Sequence, residues 1–239
     1  MSDTIFITTF AKEHIDLYGK RFIDSFNKYN SHLPLHVYAE DFDKTDLSNH
    51  YKLSDFNKTI PLHKTFLEHI RMLQIGLLTK PKNRLEKALR WSYKSFTIIH
   101  ALENSSCKYV VWIDADVETV GHLAKNSTSK INHENLCTVY PQYIDGELHI
   151  ESGLIIFNLH HPSIINIINH YKKGYQKYQV LDLDKPWDGF WLGKYCKTSK
   201  DPINYVSPPF SNVKGIFKHH VGKDKFRNTD HNKFSGRKI

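Results

Sequence analysis

Five uncharged residues at 109–113, Tyr-Val-Val-Trp-Ile, run directly into Asp114, Ala115 and Asp116. An apolar run of that length, rich in β-branched and aromatic side chains, predicts a strand buried on both faces. Such a strand needs covering layers above and below its sheet. The two carboxylates then stand where it leaves the core. Side chains alternate along a strand, so while the extended geometry persists Asp114 and Asp116 point the same way. Like charges so placed repel unless a cation lies between them. A hard divalent ion accepts carboxylate oxygens and leaves coordination positions to substrate phosphates, which makes the tripeptide a candidate metal-diphosphate site. An acidic turn after a core strand is the equal alternative for the tripeptide taken alone.

The chain ahead of that strand alternates. An apolar strand over 5–9 is followed by a helix over 18–29, with Phe22, Ile23 and Phe26 at helical spacing, and by a strand over 35–39 that runs into acidic residues 40–43. A strand-helix-strand unit crosses over right-handed and sets its strands parallel. Open α/β sheets take ligands outside the carboxyl ends of their strands. Thr8 and Thr9 stand at one such end, either as nucleotide contacts or as ordinary strand-end hydroxyls. Residues 44–80 are less regular, with one helix over 65–78, and read as an insertion or lid. Leu85, Leu89, Phe96, Ile99 and Leu102 form a helical stripe leading to the acidic strand. On another face that helix presents Arg90 and Lys94, for a phosphate or sugar hydroxyl or simply for solvent.

Beyond the acidic pair, residues 136–140 read as a strand and Asp145-Gly146 as a tight hairpin turn. Glu151, Ser152 and Gly153 form a polar start to a buried strand ending at Asn158, where the glycine permits close backbone approach. Pro162 opens a helix that Gly174 stops. Residues 185–191, Lys-Pro-Trp-Asp-Gly-Phe-Trp, set two tryptophans and Asp188 around a glycine. That composition suits stacking on sugar rings, and equally suits aromatic packing around a capping aspartate. A late stretch, 217–223, brings together His219, His220, Gly222 and Lys223.

Composition narrows the class. With 239 residues and 40% hydrophobic side chains the chain has enough apolar material for a large core. No apolar run approaches the ~20 residues that cross a bilayer, and the N-terminus lacks a signal-peptide pattern, so the expected location is cytoplasmic. Three cysteines, far apart and without a C-x-x-C pair, indicate neither a disulfide framework nor a cysteine zinc site. Of the net charge of +8, half falls in 223–239, where six Lys or Arg face two Asp. A basic tail of this kind is a weak contact for an anionic surface or a solvated end, and no specific nucleic-acid partner is expected.

The ordered set, a strand ending in Asp-x-Asp, a preceding helix with a basic residue, a Ser-Gly-strand-Asn segment, an aspartate among aromatics and a late His-x-x-Gly-Lys, resembles the GT-A nucleotide-sugar glycosyltransferases. It is most similar to the glycogenin and bacterial lipooligosaccharide galactosyltransferase family and to related viral and bacterial glycosyltransferase-like proteins. The resemblance covers roughly residues 5–225. It implies an α/β fold, a single Rossmann-like GT-A domain over 1–222 with a mainly parallel central sheet flanked by helices, followed by the tail at 223–239. It also implies transfer of a sugar from a nucleotide diphosphate sugar, UDP-linked by default, to a glycan, lipid or protein acceptor, with Mn²⁺ or Mg²⁺ as cofactor. Asp114, Asp116 and His219 match the family's metal ligands. Thr8, Thr9, Lys94, Asp114, Ala115, Ser152, Gly153, Gly222 and Lys223 fall at donor-binding positions, and Asp188 and Glu151 at the sugar and the reacting carbon. Two departures stand out: Glu151 replaces the usual Asn, and Thr8-Thr9-Phe10 lacks the acid that often reads the nucleobase. The alternatives are an inert carbohydrate- or nucleic-acid-binding module, for which the tryptophans and tail would suffice, and a nucleotidyltransferase, whose Gly-rich basic loop after the first strand is not seen here.

Overall fold

A computed structural model describes residues 3–43, 51–74, 82–122, 134–206 and 217–219. The expected opening unit is present as β1 (Thr4–Phe10), α1 (Lys20–Asn30) and β2 (Leu35–Ala39), with β1 and β2 parallel. β4 (Tyr109–Ile113) pairs parallel with β1 on its other side. Both flanks of these strands are packed: Ile7, Val110 and Trp112 lie in one apolar cluster, and Phe6, Phe10, Val111 and Ile113 in the other. α1 covers the second cluster with Phe22, Ile23 and Phe26. On the opposite face lies α4 (Lys82–Asn104), whose Leu85, Phe96, Ile99 and Leu102 belong to the first cluster.

The sequence pattern makes residues 44–80 an insertion or lid, but the described part of them is structural. β3 (Lys52–Asp55) adds to the sheet parallel to β2. α2 (Phe56–Thr59) and α3 (Leu62–Met72) then bury Phe56, Phe66 and Ile70 in the first cluster. Burying a side chain of this size is worth about 1.5–3 kcal/mol, so the segment is part of the core and not an appendage. Its strand escapes notice because Lys52-Leu-Ser-Asp55 is short and polar, as suits an edge.

In the second half of the sheet β7 (Glu147–Asn158) alone runs against the other strands. β6 (Cys137–Ile144) and β7 form a hairpin across Asp145 and Gly146, which have φ of 53° and 80°. Two consecutive positive φ values are the primed turn expected of Asp-Gly. β7 lies against β4 only over 154–158, so 147–153 project beyond the carboxyl end of β4 as an arm. Glu151-Ser152-Gly153 therefore sits inside a long strand, not at its start. α5 (Ile164–Tyr175) and α6 (Asp188–Thr198) follow, then the edge strand β8 (Ile203–Tyr205), parallel to β6. The seven-stranded order is β3-β2-β1-β4-β7-β6-β8, mixed but mainly parallel. β5 (Val117–Thr119) and β9 (Phe217–His219) make a separate antiparallel pair. Cys137 and Cys196 are buried free thiols, and Cys107 is a partly exposed one. Among the described residues no helix is long and apolar enough to cross a membrane.

Candidate active site

The strand predicted at 109–113 delivers Asp114 to the carboxyl end of the sheet, beside the point where the strand order departs from β1 in opposite directions. Ligands of open α/β sheets bind at such a point. The extended geometry ends there, however. Val117 N donates to Asp114 O at 3.1 Å, closing a turn over 114–117 before β5 begins, so strand alternation does not set the directions of Asp114 and Asp116. Trp112, two residues earlier on β4, donates from Nε1 to Asp114 Oδ1 at 2.6 Å.

The helical pattern sets Lys94 on an outer face, and the structure corrects this. Lys94 is 4% exposed, on the inward side of α4, while Arg90 is the exposed member of the pair. Its Nζ lies 2.9 Å from Asp114 Oδ1 and 3.1 Å from Asp188 Oδ2, and it also donates to Ser152 O. Burial works against its charge, but Asp114 and Asp188 outweigh that and hold its pKa above the ordinary lysine value. Removing one member of a buried ion pair typically costs 3–5 kcal/mol, because it strands the other. The lysine thus joins three segments distant in sequence. Asp188, far from the acidic pair along the chain, is linked to Asp114 by one ammonium group.

Asp188 owes its place to the docking of α6. It is the first residue of that helix and 2% exposed. A Cβ on Gly189 would lie 2.4 Å from Ile150 O, and one on Gly193 would lie 2.3 Å from Leu148 O. Two glycines four apart therefore let the helix rest directly on the backbone of the β7 arm. On its other side Trp191 Nε1 donates to His170 O at 3.0 Å, with the two rings stacked 4.4 Å apart.

The arm itself adds three groups. Glu151 Oε1 accepts from Gly153 N at 3.1 Å, and Oε2 accepts from Gln142 Nε2 at 3.4 Å. Gly153 O accepts from Asp114 N at 2.9 Å, which ties the acidic turn to the arm. Ser152 is buried and offers its carbonyl to Lys94. Ala115 is buried in the second apolar cluster. Thr8 is fully buried inside the sheet with Oγ1 unbonded, whereas Thr9 Oγ1 donates to Tyr38 O at 2.7 Å and lies 3.3 Å from Glu40 Oε1. Trp112 and His149 are not singled out by the sequence; for the first, its two-residue spacing from Asp114 is the available signal.

The expected divalent-ion ligands are Asp114, Asp116 and His219, and the β5–β9 ladder pairs His219 with Val117, the residue next to Asp116. Carboxylate and imidazole together suit Mn²⁺. Among the described side chains no group of three or more His, Cys, Asp or Glu gathers to hold a metal. His220, Gly222, Lys223 and the basic tail lie outside the described residues.

No protein-family model and no curated protein matches the sequence. The fold does find solved counterparts. The glycosyltransferase GlyE of Streptococcus pneumoniae TIGR4 aligns with a TM-score of 0.57 at 10% identity, over 96% of this chain and 57% of that one. Mouse xyloside xylosyltransferase 1 aligns with a TM-score of 0.55 at 10% identity, over 87% and 86% of the two chains. The chain has a GT-A glycosyltransferase fold. A third counterpart, the bifunctional glycosyltransferase WbbM, aligns with a TM-score of 0.50 at 10% identity over 86% of this chain and 39% of its own length. This GT-A chain thus spans little more than half of GlyE and well under half of WbbM.

Proposed function

We propose that the protein is a metal-dependent glycosyltransferase that moves a sugar from a nucleotide diphosphate donor, UDP-linked by default, to a glycan, lipid or protein acceptor. The observation that carries this reading is the convergence of Asp114 and Asp188 on the single side-chain nitrogen of Lys94, at the ligand-binding end of a GT-A sheet. Asp114, Asp116 and His219 would hold Mn²⁺ or Mg²⁺. A divalent ion so held would neutralise the charge that develops on the nucleoside diphosphate as the sugar-phosphate bond breaks. On the other side of that bond the sugar becomes cationic, and a fixed carboxylate stabilises it without reorganising. Asp188 and Glu151 are the carboxylates suited to that role, since Lys94 fixes the first, and Gln142 with the Gly153 amide fixes the second. Lys94 also balances the negative charge of Asp114 and Asp188 before a ligand arrives. Thr9, Ser152, Gly222 and Lys223 complete the donor side of the proposal.

The test is UDP-sugar hydrolysis and UDP binding with and without Mn²⁺, in wild type and Asp116→Asn. Metal-dependent turnover that the variant loses, with its melting temperature kept, is the expected result. Unchanged Mn²⁺ affinity in Asp116→Asn would remove the acidic turn from the metal site. Absence of any metal-dependent binding in wild type would return the chain to the class of inert binding modules.

A further inference from the structure

His149 has no part in the chemistry above, yet it stands among the groups that do. It lies on the β7 arm two residues before Glu151, hence on the same face of the strand. Its ring packs edge-on to Trp187 with centroids 6.2 Å apart, and against Phe190 at 4.8 Å. Beneath it is the first turn of α6, where a Cβ on Gly189 would fall 2.4 Å from Nε2. The helix start bearing Asp188 therefore accommodates this imidazole only because residue 189 has no side chain. Nδ1 is buried and makes no hydrogen bond.

Burial lowers the pKa of His149 below the ordinary histidine value; Asp188 and Glu151 pull it upward, while Lys94 and Lys185 push it down. The ring is consequently neutral near pH 7, with one nitrogen donating and the other accepting. A buried polar atom without a partner forfeits its hydration and destabilises the fold. Phenylalanine would fill the same aromatic niche without that penalty, so the imidazole is a burden on the fold unless a ligand atom meets it. Trp187 carries Lys87 over its ring at 5.3 Å, which leaves the aromatic wall of this niche polar at its rim.

We propose that His149 determines donor specificity by turning its partly exposed ring so that Nδ1 leaves the niche and hydrogen bonds to a hydroxyl of the transferred sugar. The proposal rests on the glycosyl-transfer reading and adds to it a residue that touches the sugar but not the nucleotide. A neutral imidazole can donate to or accept from a hydroxyl, so it discriminates between sugars that differ in the presence or direction of one hydroxyl group. A site built to bond such a group rejects an analogue lacking it far more strongly than an apolar pocket would.

The experiment is ring ¹H–¹³C NMR of the Mg²⁺-loaded protein, with the His149 resonance assigned by its loss in His149→Phe. UDP is added first, then UDP-glucose, UDP-galactose and UDP-N-acetylglucosamine in separate samples. The ring resonance is expected to ignore UDP and to move with one of the sugar nucleotides. For that donor His149→Phe should lose at least about tenfold in kcat/KM with UDP affinity unchanged, and His149→Gln, which keeps a donor and an acceptor, should recover most of it. His149→Phe is expected to melt no lower than wild type, which separates this effect from unfolding. Equal shifts with UDP and every UDP-sugar, or a fully active His149→Phe, would overturn the proposal while leaving glycosyl transfer intact. Failure of all the nucleotides to bind wild type would overturn both readings together.

Discussion

β4 and α6 each bring one aspartate to Lys94, and they do so by different physics. β4 carries Asp114 at the end of an uninterrupted apolar strand, where burial on both faces fixes the backbone and the carboxylate emerges as the strand stops. α6 carries Asp188 through close packing, with Gly189 and Gly193 laid on the carbonyls of the β7 arm and Gly174 of α5 meeting Trp191. A position set by a strand end depends on hydrophobic burial, which tolerates small changes. A position set by backbone-to-backbone contact depends on the absence of single carbon atoms.

That contrast predicts unequal responses to substitution. Acid should act on both halves of the molecule, since the parallel strands hold the buried His36 on β2 and the α6 side holds the half-buried His170 against Trp191. Burial lowers both to about 4, aided by Lys52 and His100 for His36, and opposed by the Trp191 carbonyl for His170. A folded-state value below the unfolded ~6.5 means that the stabilisation is complete above pH 6.5 and is lost as pH falls towards 4. Each ring contributes up to about 3 kcal/mol across that window. Urea melts at pH 7 and pH 4.5 measure the loss, and stability that is flat over this range would refute it. The α6 region alone should respond to Gly193→Ala, because the added carbon meets Leu148 backbone at 2.3 Å. A cost of about 3 kcal/mol is expected, with donor turnover falling further than stability as Asp188 is displaced. Turnover and stability falling in step would mean that α6 does not position the carboxylate. Gly146→Ala, at the exposed hairpin turn with φ of 80° and open space around it, should cost only about 1 kcal/mol. A larger loss there would show that the arm is held by its turn and not by α6.

The same contrast explains what the sequence disclosed. The β1-α1-β2 unit, the strand at 109–113 and the Asp-Gly hairpin are local patterns of period and turn chemistry, and all were legible. α6 was not, because two glycines and two tryptophans in Trp187-Asp-Gly-Phe-Trp-Leu-Gly193 lower its helical signal, and those glycines serve contacts with a strand some forty residues earlier. Lys94 is visible in the sequence, but its pattern sets it on the wrong side of its helix. Lysine reads as a surface residue, and only the arrival of Asp114 and Asp188 from elsewhere makes its burial tolerable. The turn over 114–117 leads into β5, whose partner β9 lies about a hundred residues away, a pairing that no local pattern announces.

A double-mutant cycle on Lys94→Met and Asp188→Asn tests most directly whether strand end and helix start form one unit. Lys94→Met alone should cost about 3–5 kcal/mol, since it strands the buried Asp188 and takes a cation from the partly exposed Asp114. Adding Asp188→Asn removes one of them, so the double variant should be more stable than Lys94→Met, with a coupling of about 1–3 kcal/mol in urea melts. Losses that simply add would contradict the account, because they would mean that Lys94 and Asp188 do not sense one another in the folded protein.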